Sequence, residues 1–247
     1  MEWQAPAILL AARPFGENDV IATVMTEAQG AHRGLVHGGQ GRARAGLWQP
    51  GNLVDVRWVG RLSEQLGHFE GEMIHPAAAL AMDDALQLAL LTAACSVAEG
   101  ALPEREAHPG PFHLLLGLIG RLSLGAPMLA ELVRFEAALL ADLGYGLDLS
   151  ACAATGTTGG LAYVSPRTGR ALSAEGAGEW AARLLRLPAF LVDAAAEAGP
   201  EDWRDGLALT GHFLARDVFG LRHLPLPPAR LALYDRVAGM TRTESDG

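Results

Sequence analysis

Up to residue 75 the chain is built from short apolar runs, several with polar residues at every second position. Ile8–Ala12, Val20–Thr26, Gly34–Val36, Leu53–Val59 and Leu66–Ile74 are rich in Val, Ile and Leu. Pro14-Phe-Gly16, Gln29-Gly30, Gly38–Gly41 and Pro50-Gly51 separate them. Such runs bounded by turn residues predict strands. Five short strands in so little chain fit a small closed barrel such as an OB-fold, because closure removes exposed sheet edges.

At His75-Pro76 the period changes. Residues 76–99 are rich in Ala and Leu at helical spacing, with no glycine before Gly100, and Pro76 suits a first helical turn. Phe112–Leu124 and Met128–Leu143 predict two more helices, Pro127 opening the second and Gly144 closing it. Leu147–Arg170 then breaks the pattern. It holds the Gly/Thr run Thr155–Gly160, one strand at Leu161–Val164 and the turn Ser165-Pro-Arg-Thr-Gly169. Helix is expected again over Ser173–Leu187, Glu201–Phe219 and Pro228–Ala238, with the last nine residues frayed. The expected architecture is therefore α+β and multidomain. It comprises a barrel over 1–75, a helical domain over 76–146 and 173–240, and a small β-insertion over 147–172.

Composition narrows the class. Half of the 247 residues are hydrophobic and 19% are charged, which marks a globular chain. Two cysteines, Cys95 and Cys152, make no disulfide framework and point to a reducing cytoplasm. The N-terminus shows no signal-type stretch. No run reaches the roughly 20 apolar residues of a membrane span, so no membrane partner is expected.

Sites of chemistry are scarce. The glycine clusters at 38–41 and 156–160 match neither a P-loop nor a dinucleotide fingerprint, and the chain has no lysine. Cys152-Ala-Ala-Thr155 is half of a zinc knuckle, with threonine at the second thiolate position. The eight histidines form no H-x-x-x-H pair, and no G-x-S-x-G occurs. Asp83-Asp84 and Glu201-Asp202 read as helix-opening acids rather than a catalytic dyad. No catalytic residue, metal or cofactor is expected.

Charge supplies the positive signal. The chain carries 19 basic and 28 acidic side chains, net −9. Yet Ala31–Arg61 holds five arginines, Arg33, Arg42, Arg44, Arg57 and Arg61, against the single acid Asp55. Aromatic residues interleave them. Trp48, beside Gln49-Pro50, is expected in an exposed loop and able to stack, whereas Trp58 is expected in the core. Barrels that bind single strands combine guanidinium–phosphate contacts with base stacking; the plainer reading is a solubilising surface. A second basic cluster is Arg167, Arg170, Arg183 and Arg186. A third, Arg216, Arg222 and Arg230, lies among Phe213, Phe219, Leu221 and Leu224 and would suit a short acidic peptide with hydrophobic ends; by the residues alone the plainer reading, a helix end capped by cations, is preferred.

Several stretches together resemble the RecO family of recombination mediators. They are Arg13-Pro-Phe-Gly-Glu17-Asn-Asp19, Thr26-Glu-Ala-Gln-Gly30, Gly34-Leu-Val-His-Gly-Gly39 and Gln49-Pro-Gly51, then the block from Arg134-Phe-Glu136 through Gly144-Tyr-Gly-Leu-Asp-Leu149 to Cys152-Ala-x-Thr-Gly156, and finally Tyr163-Val-Ser-Pro166-x-x-Gly-Arg170. The resemblance covers residues 1–238. It implies an N-terminal OB-fold and a helical domain carrying a zinc-ribbon-like insertion. Zinc-binding members carry two C-x-x-C pairs there. This chain keeps one cysteine, with Thr155 and Ser173 near the lost positions, so the hairpin is expected to be metal-free and held around Leu161 and Tyr163.

The resemblance further implies a cytoplasmic, nucleoid-associated repair protein of the RecF pathway without a chemical step. Such a protein binds single- and double-stranded DNA, anneals complementary strands, partners RecR, and engages the acidic C-terminal tail of single-strand binding protein (SSB). It thereby helps load RecA. Carried onto this sequence, Arg13, Arg33, Arg42, Arg44, Trp48, Arg57 and Arg61 are expected at DNA, and Arg134, Arg216, Arg222 and Arg230 at the tail. The rival is a protein-interaction adaptor whose barrel does not bind DNA.

Overall fold

A computed structural model describes residues 1–62, 65–126 and 128–245, apart from the side chains of Ala43 and of 242–245. Pro127, expected to open a helix, lies outside the described residues, as do the last two of the nine residues expected to fray. The chain divides into two compact units, Met1–Ala126 and Pro127–Gly247.

The first unit begins with five strands, β1 (Glu2–Phe15), β2 (Asp19–Thr26), β3 (Gly30–Val36), β4 (Leu53–Val59) and β5 (His68–His75). They close into a barrel in the order β1-β2-β3-β5-β4. β1 makes closure possible: its first half pairs antiparallel with β4, from Glu2 opposite Val59 to Ile8 opposite Leu53. Its second half pairs with β2, ending with Phe15 opposite Asp19. A register shift between Leu9 and Ala11 bends the strand there, as an extra residue in one strand does. It also exchanges the faces, since Ala7 and Leu9 belong to the barrel core before it and Ala12 packs on that core after it. The last seam is a single parallel pair, Leu35 opposite His68.

Alternation fills the interior with Val20, Ala22 and Val24 from β2, Val54, Val56 and Trp58 from β4, and Phe69 from β5. Glycines make room for the rings. Gly67, at φ +60°, has its backbone so close to the Trp58 indole that a Cβ would lie 2.4 Å from Nε1. Gly30, at φ +63°, passes the Glu106 backbone at a distance that no side chain permits.

Between β3 and β4 the expected glycine-rich loop carries one helical turn, α1 (Arg42–Ala45). The helix expected over 76–99 is two, α2 (Ala77–Ala81) and α3 (Ala85–Ala101). Asp84 causes the break: its extended backbone leaves the helix, and its carboxylate accepts the Leu86 and Gln87 N–H groups at 2.7 and 3.1 Å. That is an N-cap. α3 lies against β1, and α4 (Pro109–Gly120) follows.

The second unit has α5 (Met128–Asp142), strands β6 (Leu161–Val164), β7 (Ala171–Ser173) and β8 (Leu185–Arg186), and helices α6 (Ala174–Ala177), α7 (Pro200–Phe213) and α8 (Pro228–Ser245). The strands form one sheet in the order β7-β6-β8. The helix expected over 173–187 is broken into α6, which Ser173 caps through Gly176 N–H at 3.0 Å, and a 3-10 stretch over Gly178–Arg183. Gly178, at φ +48°, ends α6, and the chain returns as β8. The hairpin is held by Val164, Ala171, Cys152 and Ala177, all buried. Leu161 and Tyr163, expected to hold it, are only half-buried.

α7 runs past Phe213 as one π-helical stretch, Leu214–Phe219, and His223, in the left-handed conformation, closes the segment. α5 packs on α7 where Gly206 faces Val133, and α7 packs on α8.

Candidate nucleic-acid interface

The basic loop after β3 is fastened to the β1–β2 turn. Asp19 accepts the Gly38 N–H at 2.8 Å and meets His37 Nδ1 at 3.1 Å. These contacts, the Gly38 N–H first, hold its carboxyl below the usual carboxylate range. Gln40 Nε2 donates to the Asp19 carbonyl at 2.8 Å. α1 stands on this base, with Arg44 Nη1 donating to the His37 carbonyl at 2.9 Å. Arg42 and Arg44 are exposed and, like Arg61, have no acidic partner among the described residues. Arg44 also lines a cleft of 290 Å³ with His37, His68 and Glu70, floored by Trp48 and Phe69, beside the single-pair seam.

The other barrel arginines are compensated. Arg13 pairs with Glu99 at 2.8 Å and Arg33 with Glu104 at 2.5 Å. Arg57 bridges Glu2 at 2.7 Å and Glu70 at 3.1 Å. The acids that local sequence lacked arrive from Glu2, β5, α3 and the segment after it. Among the described residues, Arg42, Arg44 and Arg61 remain the barrel arginines without an acidic partner.

Trp48 corrects an expectation. It is 3% exposed and belongs to the barrel core, its ring 6.4 Å from that of Phe69. The α1 turn, Asn52 Nδ2 bonded to the Gly46 and Leu47 carbonyls, and the space over Gly71 turn it inward. It presents no face to a base. Trp58 is buried as expected, its Nε1–H donating to the Leu66 carbonyl at 3.0 Å.

Sequence reasoning missed the opposite end of the ring stack. Phe69 touches Trp48 on one side and Trp3 and His32 on the other. Trp3 stacks on Trp58 at 6.2 Å, and His32 meets Trp58 edge-on at 5.0 Å. His32 is 4% exposed, with neither ring nitrogen paired among the described residues. Burial, reinforced by Arg105, pulls it down to about 4. The signal was in β3, where alternation with Gly34 and Val36 turns His32 inward.

In the second unit the four expected tail residues separate. Arg134 donates to Glu131 at 2.5 Å and to the Phe190 carbonyl, with its guanidinium 5.4 Å from the Phe190 ring centre. Arg216 pairs with Asp217 at 2.7 Å, donates to the Pro166 carbonyl and covers the Phe213 ring. Arg222 is exposed beside Leu221 and Leu224, also exposed. Arg230 corrects the expectation for it. It is 1% exposed, bonded to both oxygens of Glu136 and to the Leu207 carbonyl, so an interior carboxylate occupies it.

The insertion does not fit zinc. Cys152 is buried, with the Ser173 hydroxyl 3.5 Å from its sulfur. That hydroxyl, then Thr155, hold the thiol down to about 6. These neighbours are hydroxyls where a structural zinc requires nitrogen or thiolate. No group of three or more His, Cys, Asp or Glu side chains that could hold a metal occurs among the described residues. No helix among them is long and apolar enough to cross a membrane.

Two family models match the chain, "Recombination protein O N terminal" over residues 1–77 and "Recombination protein O C terminal" over 82–225. Full-length relatives agree. A DNA repair protein RecO from Granulibacter bethesdensis is 60% identical over all of this chain and 99% of its own length. One from Acidiphilium cryptum is 57% identical over the same shares, and one from Gluconacetobacter diazotrophicus is 56% identical over 96% of this chain and 95% of its own. The chain belongs to the recombination protein O (RecO) family.

Proposed function

We propose that this chain is a DNA-repair and recombination mediator that works by binding, without a chemical step. In this reading the barrel is an OB-fold, and it binds single- and double-stranded DNA and anneals complementary strands. Strand order β1-β2-β3-β5-β4, with a short helix between β3 and β4, supports the fold assignment. The second unit would take the acidic SSB tail at Arg216 and Arg222, beside exposed Leu221 and Leu224, with Arg134 as a further proposed contact and Arg230 left out. With RecR, the complex would load RecA on SSB-coated strands.

The observation that carries the DNA reading is the pair Arg42 and Arg44, exposed without acidic partners among the described residues, on a turn braced by Asp19. Braced cations meet phosphates at little ordering cost, and each contact releases counterions. Arg13, Arg33 and Arg57 stay in the proposal as contacts that would have to exchange a carboxylate for a phosphate.

Anisotropy of a labelled single strand over a salt series tests this, with and without R42E/R44E. Binding that falls steeply with salt and is lost on reversal supports the mediator. Intact SSB-tail binding without DNA binding at low salt supports the adaptor, which the compensation of Arg13, Arg33 and Arg57 favours.

A further inference from the structure

We propose that the end of the barrel lined by Trp3 and His32 is a base-binding subsite, taking one unpaired nucleobase of a bound single strand. The inference rests on the DNA reading above and locates within it the stacking contact that buried Trp48 does not provide.

A cleft of 490 Å³ is lined by Trp3, His32 and Trp58 together with Gln29, Arg105 and Glu2. That size lies within the roughly 300–1,000 Å³ of small-ligand sites. Its walls are flat rings: Trp3 is half-buried and packs against Trp58, His32 and Phe69. His32 forms part of the lining, 4% exposed, with both ring nitrogens unpartnered among the described residues.

A neutral imidazole carries one N–H donor and one bare acceptor. Leaving such groups unmade inside a protein is costly, so an imidazole in this state beside an open cleft marks a place for a partner. The partner should be planar and apolar on its faces, to lie on indole. It should carry donors and acceptors on its edge, for the imidazole and the Gln29 amide. It should be joined to an anion, which the positive charge of Arg105 in the lining favours. A nucleobase on its phosphodiester has all three properties. Trp3 sits on the first residues of β1, where only β4 pairs with the strand, so its ring can shift to expose the imidazole. Stacking of a base on an aromatic ring is worth about 1–3 kcal/mol, or roughly 5- to 150-fold in affinity.

The test compares an oligothymidylate with an abasic strand of the same length and charge, by anisotropy and tryptophan quenching. The wild-type chain should prefer the base-bearing strand about 10-fold. Trp3→Ala should abolish the preference while leaving abasic affinity and its salt dependence unchanged. Trp3→Phe, which keeps a ring, should retain most of it and serves if the alanine variant does not fold. R42E/R44E should weaken both strands equally. Equal wild-type affinity for the two strands, or loss of both in Trp3→Phe, overturns the subsite and leaves the basic face standing. No binding of either strand overturns the DNA reading and the subsite with it.

Discussion

Arg230 Nε lies 2.5 Å from Glu136 Oε1, and neither side chain is more than 1% exposed. Glu136 Oε2 takes the second guanidinium bond at 2.9 Å and the Thr210 hydroxyl at 2.5 Å. One residue from α5, one from α7 and one from α8 thus meet at a single satisfied polar centre. Breaking a buried pair by removing one partner leaves an unpaired charge and costs about 3–5 kcal/mol. Arg230→Ala should therefore lower the unfolding midpoint of the second unit sharply. The double change R230M/E136L should recover most of it, because apolar replacement of both partners is often neutral or better. Circular dichroism during urea unfolding would show this. A variant that folds normally and loses only tail binding would return Arg230 to the tail site.

The barrel arginines should not act alike. Arg42 and Arg44 carry charge that no described acid offsets, whereas Arg57 is already shared between Glu2 and Glu70. Removing two phosphate contacts lowers the log–log salt slope on single strands by about 1.4. R42A/R44A should produce that decrease. Arg57→Ala should change the slope by less than half as much, since a phosphate gains there only what the carboxylates give up. A decrease of about 0.7 in Arg57→Ala, the value of one full contact, would mean that the ion pairs at Arg57 open on binding.

The strands were legible because alternation and glycine turns are local: β2 and β4 occur where their residues predict, and β1 and β3 only extend further. The helix break at Asp84 was half legible, since its acid was read as helix-opening while the helix was drawn through it. Trp48 and the arginine pairs were not legible. Whether an indole beside a proline points in or out depends on the hollow over Gly71, supplied by a strand more than 20 residues away in sequence. Glu99 and Glu104, which take Arg13 and Arg33, belong to a helix and a connection placed against the barrel only in the fold. His32 was legible and overlooked, since β3 alternation turns it inward.

His32 gives a pH dependence with a definite sign. Burial first, and Arg105 second, lower it from the ordinary 6.5 to about 4. The unfolded chain therefore binds the extra proton between these values. Stability from this group is complete above pH 6.5 and is lost as pH falls toward 4, by about 2 kcal/mol between pH 7 and pH 5. In the folded chain, NMR should show the His32 ring still neutral at pH 5.5. His32→Gln should flatten the loss of barrel stability over that interval. A His32 midpoint near 6.5 would mean that the ring is hydrated.

The insertion should be indifferent to metal. A structural zinc site supplies folding free energy directly, so chelation unfolds the domain that depends on it. Here the Cys152 sulfur faces the Ser173 hydroxyl at 3.5 Å, and the hairpin core is Val164, Ala171 and Ala177. Burial of these apolar groups does not change on chelation. Protein purified without added metal should carry far less than one zinc per chain by elemental analysis, and EDTA should leave its thermal midpoint unmoved. Cys152→Ser should then cost about 1 kcal/mol, as typical single substitutions do, through the packing of one sulfur and its contacts with Ser173 and Thr155. Stoichiometric zinc lost together with the fold on chelation would show instead that hydroxyl and backbone groups complete a site around Cys152.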